Sequence, residues 1–120
     1  MPARSPRQRL QDVLDAIADI ERFTAGKSFE QYQADALVRR ATERLIEIIS
    51  ESSRHLPQAL KDKHASVPWQ PIADIGNVFR HAYDRVNDRR VWAVVTDDLR
   101  PLKQAVQAMF ADTERQPGTR

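Results

Sequence analysis

Between Trp69 and Trp92 the chain gathers Asn77, Arg80, His81, Tyr83 and Asp84 within a few helical turns. An imidazole takes or gives a proton near neutral pH. A guanidinium is always charged, and its fork fits a phosphate. A carboxamide and a phenol add hydrogen bonds that can orient a substrate. Together these groups suit metal-free RNA cleavage. A base removes the 2′-OH proton, an acid protonates the leaving oxygen, and cations stabilise the charged phosphorane.

The residues must be held on one element for that chemistry to work. At helical spacing Ile72, Ile75, Phe79, Ala82 and Val86 form an apolar stripe. Asn77, His81 and Asp84 fall on a second face at i, i+4, i+7. Gly76, Arg80 and Tyr83 fall on a third, beside it. The stretch 69–92 therefore reads as one amphipathic helix with a polar cluster away from the core. Any surface helix also shows polar residues opposite an apolar stripe, so on spacing alone a solvated face is the better account.

The residue identities go further. The run P-W-x-x-I-x-x-x-x-N-x-x-x-H-x-Y-D-x-V, followed by V-W, resembles the HepT-like branch of the HEPN family. That family's motif is Arg, usually followed by Asn, with His and then Tyr downstream. Asn77, His81 and Tyr83 match it in place, whereas the arginine position is Gly76. The resemblance implies an all-helical homodimer, the toxin component of a type VII-like toxin–antitoxin pair. Its partner would be a minimal nucleotidyltransferase antitoxin, its substrate RNA, with no cofactor and no metal ligands. Carried over by position, His81 would be the acid–base group. Asn77 would orient the site, and Tyr83 would accept AMP from the transferase.

Gly76 leaves two readings open. Arg80, one turn further on the same stripe, leans back toward position 76 and takes over the clamp. Alternatively, catalysis is lost and the domain is a dimeric module that binds nucleotide, RNA or the transferase. Glycine inside a helix costs roughly 1 kcal/mol against alanine, so close packing on a second helix is an equally good reason for it.

The remaining sequence sets bounds. With 120 residues, 41% hydrophobic and 30% charged, one soluble domain with a single core is expected over 1–120. The ordered part should span 5–115, with 116–120 a flexible tail; Glu114 onward already reads as polar tail. Net charge is only +2, but arginines cluster at 4, 7 and 9, at 39 and 40, and along 80–90. The absence of cysteine excludes disulfides, thiolate nucleophiles and Cys-type zinc sites. No apolar run reaches the roughly 20 residues of a membrane span, so a cytoplasmic protein without membrane or DNA partners is expected.

Helix signals recur along the chain. Ser5-Pro6-Arg7-Gln8 and Ser28-Phe29-Glu30-Gln31 are capping boxes, and Gly26 can end the first helix. The second helix should run unbroken from 29 to about 52, with Phe29, Tyr32, Ala36, Leu37, Ala41, Leu45, Ile48 and Ile49 as its apolar positions. Glu43, Glu47 and Glu51 form a row read as solvated. Pro57 can open a short helix, and His55 and His64 read as surface residues without a carboxylate at ligand spacing. Asn87-Asp88 is a weak point in the central helix, and Asp98 a candidate N-cap for the last one. The expected fold is all-α, an antiparallel bundle of four main helices plus a short fifth.

Overall fold

The computed structural model describes residues 4–81 and 87–115. Helix α1 (Pro6–Thr24) starts on the expected capping box. Ser5 Oγ accepts from the Gln8 N–H at 3.1 Å, and Gln8 Oε1 accepts from the Ser5 N–H at 2.8 Å. Pro6 follows at a position where an N–H would have no helical partner. Leu10, Val13, Ile17 and Ile20 are fully buried, each stabilising the fold by about 1.5–3 kcal/mol relative to exposure. Gly26, at φ +72°, turns the chain away after the C-cap. Arg4, expected in a frayed arm, is held by Asp12 through two bonds of 2.7 and 2.8 Å.

The expected single helix over 29–52 is two helices. The first, α2 (Phe29–Ala34), starts on the Ser28 capping box. Asp35 then ends α2 and caps α3 (Ala36–Arg54), its Oδ1 accepting from the Val38 N–H at 3.1 Å. A short acidic side chain competes for backbone N–H groups, so it favours a cap over a helix interior. Leu37, expected in the core, is 79% exposed. The expected Ile49 is buried, joined by Thr42, Ile46, Ser50 and Ser53, and the expected Leu45 and Ile48 pack half-buried against the core.

A short helix, α4 (Gln58–Asp62), follows Pro57 as expected. Trp69 fixes the connection to α5 (Trp69–His81), its indole N–H donating to the carbonyls of Lys61 (3.2 Å) and His64 (3.0 Å). Ile72 and Ile75 are buried and Phe79 half-buried, as the apolar stripe required; Ala82 and Val86 of that stripe lie outside the described residues. The central helix does not run on to Trp92. Asn87 caps a new helix, α6 (Asp88–Ala93), accepting from the N–H groups of Arg89 (3.0 Å) and Arg90 (3.2 Å).

No cap at Asp98 separates α6 from the last helix. A π-helical turn, Val94–Asp98, carries the chain directly into α7 (Leu99–Arg115). Pro101 offers no N–H to the carbonyl four residues back, and its ring crowds that carbonyl. A wider turn just before it relieves both. Leu102, Val106 and Met109 are buried and Phe110 half-buried, as expected. Glu114 and Arg115 are helical rather than tail, and the expected tail at 116–120 lies outside the described residues.

The long helices α1, α3, α5 and α7 pack into an all-α bundle, and no strand occurs among the described residues. The short helices α2, α4 and α6 exceed the single one expected. Two contacts set α1 antiparallel to α7: Arg7 reaches Thr113 at 3.4 Å, and Glu21 pairs with Lys103 at 3.1 Å. Trp92 of α6 stacks at a tilt on Tyr32 of α2, centroids 5.0 Å apart, closing the bundle's end. Among the described residues no helix is long and apolar enough to cross a membrane.

Candidate active site

Of the polar cluster, Asn77 sits where α5 packs against α3. Ser50 Oγ donates to the Ala73 carbonyl at 2.8 Å. One turn further along both helices, Arg54 Nη1 donates to Asn77 Oδ1 at 3.4 Å. Asn77 is exposed, off the core stripe as expected. Gly76, lying between these two contact positions in the chain, is buried. That favours the packing account of the glycine: with no side chain at 76, α5 sits close against its neighbour.

Arg80 and His81 are the last described residues of α5. Their backbone continues the helix one turn past Gly76 and Asn77; their side chains lie outside what the structure describes. Tyr83 and Asp84 lie outside the described residues altogether. The structure thus places Asn77 on the α3 side of α5 and buries Gly76 next to it in the chain.

The last turn of α3 brings groups that the sequence reading passed over. Glu51 pairs with Arg54 Nη2 and, at 2.9 Å, with His55 Nε2. Hydrogen bonds from His55 first, and then from Arg54, hold the Glu51 carboxyl below the usual glutamate range. His55 is therefore not an isolated surface residue; its carboxylate partner lies four residues back. The signal was present as Glu-x-x-Arg-His, which puts both partners within reach of Glu51 on a helix. Glu43 and Glu47 pair with Arg40 and Arg44 but are half-buried, Glu43 with only 14% of its side chain exposed, so the row is not the solvated face expected. Among the described residues no three His, Asp or Glu side chains converge as metal ligands. Beyond Glu51 a shallow groove of about 260 Å³ runs between α1 and α3, with Arg4, Arg9 and Arg44 on its walls.

The other tyrosine, Tyr32, is fully buried, as expected. Its hydroxyl finds no hydrogen-bond partner among the described residues. Burial, with the charges of Glu43 and Asp88, pushes the phenol far above its ordinary pKa.

Residues 13–109 match the family described as "Ribonuclease HepT-like", a span that holds the whole motif region. The chain belongs to the HepT-like ribonuclease family. It is 36% identical over 100 residues to a protein of Thermococcus cleftensis named "Probable ribonuclease HepT", covering 83% of this chain and 91% of that one. It is 32% identical over 107 residues to a Caldanaerobacter subterraneus subsp. tengcongensis protein named "Putative RNase TTE0752", covering 89% and 96%. No solved structure matches the chain. The HepT-like resemblance read from Asn77, His81 and Tyr83 is thus borne out at the level of the family.

Proposed function

We propose that this HepT-like protein is a metal-independent endoribonuclease, the toxin component of a type VII-like pair. Membership of the family over residues 13–109 is the observation that carries the reading. In it, an imidazole removes the 2′-OH proton as that oxygen attacks phosphorus. A protonated imidazole then gives its proton to the departing 5′-oxygen, leaving a 2′,3′-cyclic phosphate and a 5′-OH. His81 fills these roles, once from each subunit of a cytoplasmic homodimer. Asn77 hydrogen-bonds a phosphate oxygen, and Arg80 supplies charge against the phosphorane. A nucleotidyltransferase antitoxin attaches AMP to Tyr83 and blocks the cleft with negative charge. The burial of Tyr32 supports this assignment, because it leaves Tyr83 as the other tyrosine of the chain.

The test is cleavage of single-stranded RNA in EDTA. Wild type should cleave; His81→Ala should lose cleavage by at least a hundredfold, the usual scale of one acid–base group, with its circular dichroism unchanged. A fully active His81→Ala would sink the reading. The burial of Gly76 favours one second reading, a binding module without catalysis, since the motif's arginine position is closed by packing. In that case wild type is inert in EDTA and with added metals, yet still binds RNA or the transferase.

A further inference from the structure

Ala73, Gly76, Asn77 and Arg80 are spaced i, i+3, i+4, i+7, so they start from one side of α5. Two of them already engage α3: the Ala73 carbonyl accepts from Ser50, and Asn77 accepts from Arg54. Gly76, set between them by this spacing, is buried. A side chain beginning at position 76 would begin inside the seam between the helices. One beginning at Arg54 begins on the opposite wall and ends at its mouth, beside Asn77, with 32% of its surface exposed.

We propose that Arg54 is a substrate-phosphate ligand: the guanidinium absent at position 76 is delivered from the last turn of α3. This rests on the ribonuclease reading above. Asn77 and Glu51 hold the fork from two sides, Nη1 on the carboxamide and Nη2 on the carboxylate. A guanidinium carries five N–H donors, so those two bonds do not exhaust it. A fork whose orientation is already fixed loses less entropy when phosphate arrives. The same carboxylate also hydrogen-bonds His55. The adjoining groove sets Arg4, Arg9 and Arg44 against Asp12, Glu47 and Glu51, so its charges balance and the cationic contact is local to Arg54.

The experiment uses the full chain and two fluorescein-labelled probes, a mixed-sequence single-stranded oligoribonucleotide and its fully 2′-O-methylated, uncleavable analogue. Affinity for the analogue is measured across a salt series for wild type, Arg54→Ala, Arg54→Lys and Arg22→Ala. Arg22 is an exposed residue at the far end of α1, paired with Asp19. Arg54→Ala should weaken binding about tenfold, the scale of one charge-assisted bond, and flatten the salt slope by about 0.7. Arg54→Lys should keep the slope but bind more weakly than wild type, having lost the fork. Arg22→Ala should match wild type. Should Arg54→Ala fail to fold by circular dichroism, Arg54→Lys decides alone, because it keeps the stem and the charge. Wild-type affinity and slope in the folded Arg54 variants overturn the proposal, even if wild type cleaves RNA. Arg54-dependent binding by a wild type that never cleaves overturns only the ribonuclease reading. A wild type that binds neither probe overturns both.

Discussion

Gly76 has no side chain, yet it decides most about this site. It stands where the family's motif has arginine, and it is buried. Restoring the family residue therefore inserts a guanidinium into a packed seam. Gly76→Arg should destabilise the protein by several kcal/mol, through overpacking and a buried charge, despite arginine's better helix propensity. Thermal melts of the variant check this; an unchanged melting temperature would show that the seam has room. Tyr32 gives the opposite case. Its buried hydroxyl lacks a partner among the described residues, so Tyr32→Phe removes a desolvated polar group and keeps the ring on Trp92. Stability should stay level or rise by about 1 kcal/mol, with AMP transfer by the cognate transferase unaffected. Loss of AMP transfer in the folded Tyr32→Phe protein would argue against Tyr83 as acceptor.

The elements show where sequence carried structural information and where it did not. Ser5 and Ser28 announced their helices because a capping box is a local device, readable from four residues. The apolar stripes of α1, α5 and α7 were legible because burial there follows one helical period. Asp35 was missed, and with it the start of α3: Leu37 lies outward and Ile46 inward, while Ile49 is buried as read. Asn87 was noticed as a weak point but not as a full start. Of the site, Asn77 and the glycine could be read from motif spacing, whereas Arg54 could not, since its partner lies 23 positions away on another helix. The π turn before Pro101 was hidden because it depends on hydrogen-bond geometry rather than composition. That turn also holds Asp98, whose carboxyl is raised above its ordinary pKa by burial and then by the neighbouring Asp97 charge. Between the unfolded and the raised folded pKa, the native state keeps a proton that the unfolded chain has released. Stability therefore falls as pH rises through that window, and the loss is complete above it. Asp98→Asn should be more stable than wild type at pH 7, by about 0.5 kcal/mol or less given the partial exposure. The gain should vanish below about pH 4, where both states of an aspartate become protonated. Melting curves at the two pH values measure it.

At the scale of the whole molecule the open question is what faces the polar side of α5. Cleaving RNA by proton transfer needs a base and an acid at once, and each chain offers a single motif histidine, His81. Two-fold pairing supplies both, because an isologous contact brings the same residue from each subunit to one axis. Gly76 cannot be the reason for such a contact, since its close approach is already used within the chain. In the proposed dimer the pairing surface is the exposed part of α5 around Asn77 with the end of α3 that carries Arg54, so that both guanidinium groups border one cleft. Light scattering at tens of micromolar should then give twice the 13.8 kDa of one chain. A substitution that adds bulk and charge on that surface, Asn77→Glu, should shift the species toward monomer and abolish cleavage together, with helicity retained. A monomeric wild type that still cleaves RNA would refute the shared cleft, because one imidazole would then have to serve as base and acid in turn.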